Sequence, residues 1–211
     1  MGRRFFVLAV ATALGACGSP GGNDGGSGGS GGSGGGGGSC TAVKSPPNLL
    51  QNASFECGSP EPDAWFARDG ALTFVTTGAK QGQRSVQLTV PPSGATDVTL
   101  AYSPDVATNL GQAKYCATAW MKGTVPDARL ILRRVTAGAV DDFTFSSPIA
   151  ANQPPDNWVR LPPSLILDAP GNGADRLLLL AQSRNGQPGQ TLLVDDADVW
   201  VSASGRCDEV R

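Results

Sequence analysis

The sequence predicts an all-β fold of the jelly-roll sandwich type, preceded by a disordered linker rich in Gly and Ser. Three observations support this prediction. Short segments alternate apolar and polar residues with a period of two, as β-strands do. Gly and Pro, with 29 and 16 residues, interrupt the chain throughout and disfavour long helices. No helical periodicity and no internal repeat is visible, so short strands joined by turns are the expected architecture.

The first residues have the organisation of a secretory signal peptide. Residues 3–4 are both Arg, and residues 5–14 form an apolar run. A transmembrane helix needs about 20 apolar residues, so this run is too short to cross a bilayer. It ends in Leu14-Gly15-Ala16-Cys17, which resembles the lipobox of bacterial lipoproteins.

The lipobox resemblance implies that the Cys17 sulfur carries a diacylglycerol and that residues 1–16 are removed as a signal peptide. The alternative is an ordinary signal peptide with an incidental cysteine. We expect an exported chain held on the lipid bilayer by acylated Cys17. Gly18 follows the cysteine where Asp would retain many such proteins in the inner membrane, so the outer membrane is favoured in a Gram-negative host.

Residues 17–39 are predicted to be the lipidated cysteine and a flexible tether. From residue 18 onward this segment is almost entirely Gly and Ser, and it has no apolar side chains whose burial could offset the entropy of ordering. A Gly-rich coil of this length spans roughly 25 Å on average. The tether would therefore hold a domain a short distance from a membrane surface.

Cysteine usage agrees with export. The chain has five cysteines, so four remain if Cys17 is lipidated, and an oxidising compartment would pair them. Of the three possible pairings, we expect Cys40–Cys207, which would clasp the ends of the domain, and Cys57–Cys116, which would join two early strands. Four buried thiols are the alternative. Zinc is disfavoured because the chain contains no histidine and no CxxC spacing.

Residues 40–211 have the length of one domain. The net charge is −2 and no basic cluster is present, so nucleic acid is not an expected partner. Residues 115, 117, 119 and 121 place Tyr, Ala, Ala and Met on one face of a predicted strand. Alternating or continuous apolar runs predict strands in residues 85–90, 98–102, 114–121, 129–135, 158–167 (two pieces around Pro162-Pro163), 177–181 and 192–201.

Five segments resemble, in the correct order, motifs of carbohydrate-binding modules of families 4, 9 and 22. Together they span nearly all of residues 48–202, and their order carries more weight than any one motif. Thr118 replaces the usual serine, and Ala197 and Asp198 add a residue before Val199, as a β-bulge would. The segments are residues 48–56 (NLLQNASFE), 79–86 (AKQGQRSV), 115–123 (YCATAWMKG), 157–161 (NWVRL) and 193–199 (LVDDADV).

This resemblance implies a galactose-binding-like jelly roll with a structural calcium ion where the first and last strands meet. Glu56, Asp195 and Asp196 are the candidate ligands, since calcium prefers carboxylate and carbonyl oxygens. Asp195 is preferred to Asp196 because strand alternation turns only one of two adjacent side chains inward. Alternatively, these carboxylates accept backbone and hydroxyl hydrogen bonds without a metal.

The resemblance also implies non-catalytic binding of a polysaccharide or other glycan. Three tryptophans, at residues 65, 120 and 158, match motif positions that usually lie in the core, and residues 141–145 also fit an exposed turn followed by a strand. An envelope lipoprotein that binds another protein with the same fold is the alternative function. The candidate sugar-binding residues are Trp200, Tyr102, Phe143 and Asp142.

We do not expect an enzyme. The absence of histidine removes the usual general base and the Ser-His-Asp arrangement. The sequence has no nucleophile elbow, phosphate loop or dinucleotide fingerprint. The aspartate pairs at residues 141–142 and 195–196 are strand neighbours that point to opposite faces, so neither pair would flank one glycosidic bond. A glycosidase with an unrecognised site is the remaining alternative.

Overall fold

Two antiparallel β-sheets enclose a single main hydrophobic core, which confirms the predicted β-sandwich. The computed structural model describes residues 47–92, 96–102, 105–108, 110–136, 139–145, 157–161, 165–170 and 175–207. They belong to the unit Gly36–Arg211 and form twelve strands and no helix. In this part of the chain, no helix is long and apolar enough to cross a membrane.

The strands follow one another along the chain with short connections. The predicted strands correspond to β3, β4, β6, β7, β11 and β12, with β9 and β10 as the two pieces around Pro162-Pro163. The bounds are β1 Trp65–Asp69, β2 Ala71–Val75, β3 Ser85–Thr89, β4 Val98–Tyr102, β5 Ala107–Thr108, β6 Gln112–Gly123, β7 Arg129–Thr136, β8 Ala139–Phe145, β9 Val159–Arg160, β10 Leu165–Pro170, β11 Asp175–Ser183 and β12 Thr191–Val201.

The order of strands in each sheet differs from their order in the sequence, as in a jelly roll. The first sheet has the order β1-β4-β11-β7-β8, with β5 paired to β11. The second sheet has the order β10-β6-β12-β3-β2, with β9 paired to β6. Long central strands, β11 in the first sheet and β12 in the second, pair with neighbours on both sides.

One face of β6 and one face of β11 supply much of the core. The predicted inward face of β6 is confirmed, because Tyr115, Ala117, Ala119 and Met121 are all buried in the main cluster. The alternate residues of β11, at positions 177, 179 and 181, meet them from the first sheet. Each leucine that is buried completely in this way contributes about 1.5–3 kcal/mol to folding.

The segment before β1 is attached to β12 by amide side chains in addition to backbone hydrogen bonds, such as the one from the Leu49 N–H to the Val199 carbonyl (2.7 Å). Asn48 accepts a hydrogen bond from the Val199 N–H (3.0 Å) and donates one to the Ala197 carbonyl (3.0 Å). The buried Asn52 donates to the Cys57 carbonyl (2.8 Å) and accepts from the Cys57 N–H (2.9 Å). The two asparagines of the first motif therefore attach this segment to β12 and close its turn.

Residues 141–145 lie within β8, so the strand expected in this segment is present, but the turn expected at its start is not. In the β7–β8 pairing, Arg134 is opposite Asp142 and Arg133 is opposite Phe143. A register shift lies between Arg134 and Val135. The two aspartates therefore belong to an edge strand, where charged residues discourage pairing with another chain.

The disulfide pairing differs from the prediction. Cys116 is bonded to Cys207, with Cα atoms 5.6 Å apart, so the expected Cys40–Cys207 and Cys57–Cys116 bonds are both wrong. Cys116 lies on β6 opposite Trp200 of β12, and the chain reverses at residues 202–206, which brings Cys207 back to it. Cys57 is also disulfide-bonded.

Candidate functional site

The structure corrects two of the four predicted sugar-binding residues. Trp200 is 0% exposed because the chain folds back over it after β12, beside the disulfide. Tyr102 is 6% exposed and lies in the core, where its hydroxyl accepts a hydrogen bond from the Gln51 N–H at 2.9 Å. Neither ring can present a face to a ligand. Phe143 and Asp142 lie on β8, but their side chains are outside the described part of the structure.

Tyr102 instead belongs to an aromatic cluster that fixes the start of β1. The Trp65 ring lies 4.9 Å from the Phe55 ring and 5.0 Å from the Tyr102 ring, between centroids. The Trp65 indole N–H donates to the Asn52 carbonyl at 3.2 Å. Trp65 is therefore a core residue, as predicted.

The other two tryptophans were expected in the core but lie half-buried on the outer face of the second sheet. Trp120 alternates with the inward-facing residues of β6 and is opposite Asp195 on one side and Arg160 on the other. Trp158 lies next to β9 and donates its indole N–H to the Gly78 carbonyl at 3.0 Å. The core prediction for these two residues is wrong.

The outer face of the first sheet carries an apolar row that crosses all its long strands. Phe66, Ala101, Leu180 and Ile131 are successive cross-strand partners, and Ile131 is in turn paired with Phe145. Cross-strand partners share a face of the sheet. Ala101, Leu180 and Ile131 form a buried cluster separate from the main core, each 9% exposed or less, whereas Phe66 at the edge is 40% exposed.

Polar groups lie along one side of this row. Gln182 of β11 is opposite Thr99 and Arg129 on the two neighbouring strands. Its amide donates to the Thr99 hydroxyl at 3.2 Å and accepts from Arg184 Nε at 3.2 Å. Arg129 donates Nε and Nη2 to one Asp127 oxygen at 2.9 and 2.7 Å, which holds the guanidinium in one orientation. Amide, hydroxyl and guanidinium groups thus border the apolar row.

A further guanidinium borders the other side of the row. Arg133 of β7 is opposite Leu178 and Phe143. Its Nε is buried and has no hydrogen-bond partner in the described part of the chain. The outer face of the first sheet therefore combines one partly exposed aromatic ring, Phe66, with hydrogen-bonding groups beside a buried apolar row.

On the second sheet, a buried carboxylate holds the turn of residues 78–84. Asp195 Oδ2 accepts the N–H groups of Lys80 (2.7 Å) and Gln81 (2.9 Å), and Oδ1 accepts the Asp196 N–H (2.7 Å). Burial raises the pKa of Asp195 from its ordinary 3.8 to about 7, against the opposing effect of these hydrogen bonds. Asp195 is buried and Asp196 is half-buried, while the preference for Asp195 as a calcium ligand stays a prediction.

Glu56 holds the other end of the same turn. Its Oε1 accepts the N–H groups of Gln83 (2.8 Å) and Arg84 (3.0 Å). Gly82 lies directly against this carboxylate and has a positive φ of 67°, a conformation that favours glycine. Glu56 and Asp195, which the resemblance implied as ligands of one ion, therefore both bind the turn of residues 78–84. The bulge predicted before Val199 is also present, as a register shift between Asp195 and Asp198.

As folded, these carboxylates do not fit a calcium ion. N–H hydrogens point at both oxygens of Asp195 and at Oε1 of Glu56, in the positions that a cation would need. No group of three or more acidic, His or Cys side chains lies together in the described residues. Calcium binding stays a prediction, and it would require this turn to exchange its hydrogen bonds for metal contacts.

No protein-family model matches the sequence, and no curated protein matches it. The structure, however, is similar to solved structures. For a carbohydrate-binding module, TmCBM61, solved with β-1,4-galactotriose, the TM-score is 0.50 at 16% identity, and the match covers 74% of this chain and 99% of that one. For the CBM22-1 xylan-binding domain of Paenibacillus barcinonensis Xyn10C, the TM-score is 0.50 at 21% identity, with coverage of 70% and 90%.

A third similar structure is the enzymatically active domain of tailspike protein 4 from bacteriophage CBA120, with a TM-score of 0.54 at 15% identity. This match covers 74% of our chain but only 21% of the tailspike chain, so the tailspike activity does not transfer. At these identities the likeness establishes the fold. The fold is that of the β-sandwich carbohydrate-binding modules, as the sequence motifs predicted.

We expect Gly82→Ala to destabilise the domain more than Gly189→Ala. Both glycines have positive φ, so each substitution costs about 1 kcal/mol of backbone strain. A Cβ at Gly189 would meet open space, whereas one at Gly82 would overlap Glu56 Oε1. Displacing Glu56 from Gln83 and Arg84 should cost about 1–3 kcal/mol more. Urea denaturation measures both values; equal losses would show that Glu56 moves aside freely.

Asp195 should make stability fall as the pH rises. Its pKa is about 7 in the fold, against an ordinary value of 3.8, so its favourable contribution is complete below pH 4 and is lost as the pH rises through 7. In buffer that contains a chelator, we compare the free energy of unfolding of the wild type with that of Asp195→Asn. The wild-type value minus the variant value should decrease as the pH rises from about 4 to 8. In calcium buffer, a bound cation would lower this pKa and reverse the slope.

Proposed function

We propose that this domain binds a polysaccharide chain, without cleaving it, across the outer face of the first sheet. The observation that carries the proposal is the partly exposed ring of Phe66 at the edge of the apolar row, whose members Ala101, Leu180 and Ile131 are buried, with hydrogen-bonding groups beside the row. Pyranose rings have apolar C–H faces and a rim of hydroxyl groups, so a site for them needs both kinds of surface. The partly exposed Phe66 offers the aromatic surface, and Gln182 and Arg133 offer the polar contacts.

The similar solved structures support a neutral, β-linked polysaccharide as the first ligand to test. Two of them are described as binding galactotriose and xylan. Non-catalytic binding is supported by the absence of histidine. It is also supported by the state of Asp127, whose carboxylate is engaged by Arg129 and is therefore poorly placed to act as an acid or base.

We further propose that the domain works while attached to the cell envelope. The Leu14-Gly15-Ala16-Cys17 sequence supports acylation of Cys17, and the Gly/Ser-rich segment of residues 18–39 supports a flexible attachment. Two acyl chains would anchor the protein firmly, whereas one chain binds a membrane only reversibly. A tethered binding domain would keep a glycan near the bilayer surface.

Phe66→Ala should weaken binding to β-1,4-galactan or xylan by about tenfold, because the ligand loses an aromatic contact surface. Val201→Ala is the matched control, since Val201 is 41% exposed and Phe66 is 40% exposed, but Val201 lies on the second sheet. Gln182→Ala should weaken binding as well, through a lost hydrogen bond. Affinity electrophoresis and calorimetry measure the effect, and melting curves check that each variant is folded.

Two outcomes would contradict sugar binding on this face. If the wild type binds a neutral polymer and Phe66→Ala binds it equally well, the site lies elsewhere. If none of the plant, algal or peptidoglycan polymers is retained, the fold serves another partner, and a protein of the cell envelope becomes the next candidate.

Cys17→Ala should abolish lipid attachment. In a bacterial host that processes lipoproteins, the wild type should incorporate labelled palmitate and partition into detergent, whereas the variant should do neither. Ser19→Ala changes a neighbouring residue and leaves Leu14-Gly15-Ala16-Cys17 intact, so it should behave as the wild type. A Cys17→Ala chain that still partitions fully with membranes would overturn the proposed anchor.

A further inference from the structure

The outer face of the second sheet carries two tryptophans that are each covered by a lysine. Lys80 Nζ lies 3.9 Å from the centre of the Trp120 ring, and Lys122 Nζ lies 4.8 Å from that of Trp158. These distances are within the range of cation–π contacts. Both rings are half-buried and Lys80 is exposed. Two ammonium groups and two indole rings therefore form one surface, here called the Lys–Trp surface.

The Lys–Trp surface is fixed in place by backbone contacts. The Lys80 N–H is held by the Asp195 carboxylate at 2.7 Å, which positions Lys80 beside Trp120. The Trp158 indole N–H is held by the Gly78 carbonyl at 3.0 Å. Both contacts involve the turn of residues 78–84, so the same turn orders both lysine–tryptophan pairs. The surface is pre-organised, which lowers the entropy cost of binding a ligand.

The positive charges of this region are not neutralised by ion pairs. Among the described residues, the charged side-chain groups of Lys80, Lys122 and Arg84 form no ion pair with a carboxylate. Arg84 instead donates to a backbone carbonyl and lies 5.1 Å from the Phe74 ring. The nearest acids, Glu56 and Asp195, are engaged by backbone N–H groups. Although the whole chain has a net charge of −2, this region presents cations that are available to an anion.

An open depression adjoins the Lys–Trp surface at the same turn. It has a volume of about 540 Å³, enough for one or two sugar units. Its wall includes an exposed hydroxyl, an exposed amide and a guanidinium, all able to bind the oxygen atoms of a ligand. The lining residues are Thr76, Gly78, Ala79, Gly82, Gln83 and Arg84.

We propose that the Lys–Trp surface and this depression form a second binding site, for a polysaccharide of carboxylated sugars. A carboxylate of the sugar would bind Lys80 or Lys122 while the ammonium stays against its tryptophan. The ring of the same or the next sugar would contact the indole edge and the polar wall of the depression. This site lies on the sheet opposite the proposed neutral-sugar face and does not depend on it.

The test measures binding of polygalacturonate to the folded chain, in a buffer that contains a chelator and little salt. Affinity electrophoresis should show retardation of the wild type, and Lys80→Gln/Lys122→Gln should bind at least tenfold more weakly. Arg68→Gln/Lys114→Gln removes two positive charges from exposed positions away from the turn, and it should bind within twofold of the wild type. Polygalacturonate with methyl-esterified carboxylates should not be bound, and added salt should weaken binding.

Several results would overturn this site. One is a wild type that polygalacturonate does not retard; another is equal loss in the two double variants, which would show a bulk-charge effect only. A wild type that binds phosphatidylglycerol vesicles but not polygalacturonate would assign the surface to the membrane. Phe66→Ala should retain acidic-polymer binding, so failure of the neutral-sugar proposal and failure of this one are distinguishable. Melting curves show whether the lysine variants remain folded.

Discussion

The buried carboxylate of Asp195 is the interaction on which much of the second sheet depends. It lies where β12 loses its regular register with β6, and Asp196 has a positive φ of 44° at the same point. The bulge leaves Asp195 beneath the turn of residues 78–84, where it accepts the Lys80 and Gln81 N–H groups. Without these donors the buried carboxyl group of Asp195 would be left unsatisfied, at a cost of about 1–3 kcal/mol. One irregular step in β12 therefore positions a turn that is distant in sequence, and with it Lys80 and Trp120.

A feature of the fold could be predicted from the sequence where a local pattern of residues encodes it. Strands with a clear period of two, such as β3 and β6, were predicted because one of their faces is buried along its full length. The outward position of Trp120 was available from the same pattern, since Tyr115 and Met121 face the core and Trp120 has the opposite parity. The motif resemblance outweighed that parity in the sequence interpretation, and the parity was correct. The strands β1 and β2 were not predicted because partly exposed strands have no complete apolar face.

The disulfide and the ligand face required information that no local pattern contains. Cys207 reaches Cys116 only because the chain reverses after β12, and this reversal lies outside any strand periodicity. The apolar row on the first sheet also could not be predicted from a local pattern. Phe66 and Ile131 are 65 residues apart and are brought into one row only through β4 and β11. Sequence spacing predicts which residues share a strand face. The order of strands in the sheet decides which of those faces combine into a site.

The two proposed sites therefore depend on different constraints within one fold. The first-sheet face is built from cross-strand partners on rigid strands, so its geometry follows from the register of β1, β4, β11 and β7. The Lys–Trp surface is built on a turn whose position follows from two carboxylates, Asp195 and Glu56. Loss of the turn would remove the cationic surface and leave the strand register intact. Because contacts that share no residues contribute independently, the two proposals predict separate affinities for a neutral and an acidic ligand on opposite sheets.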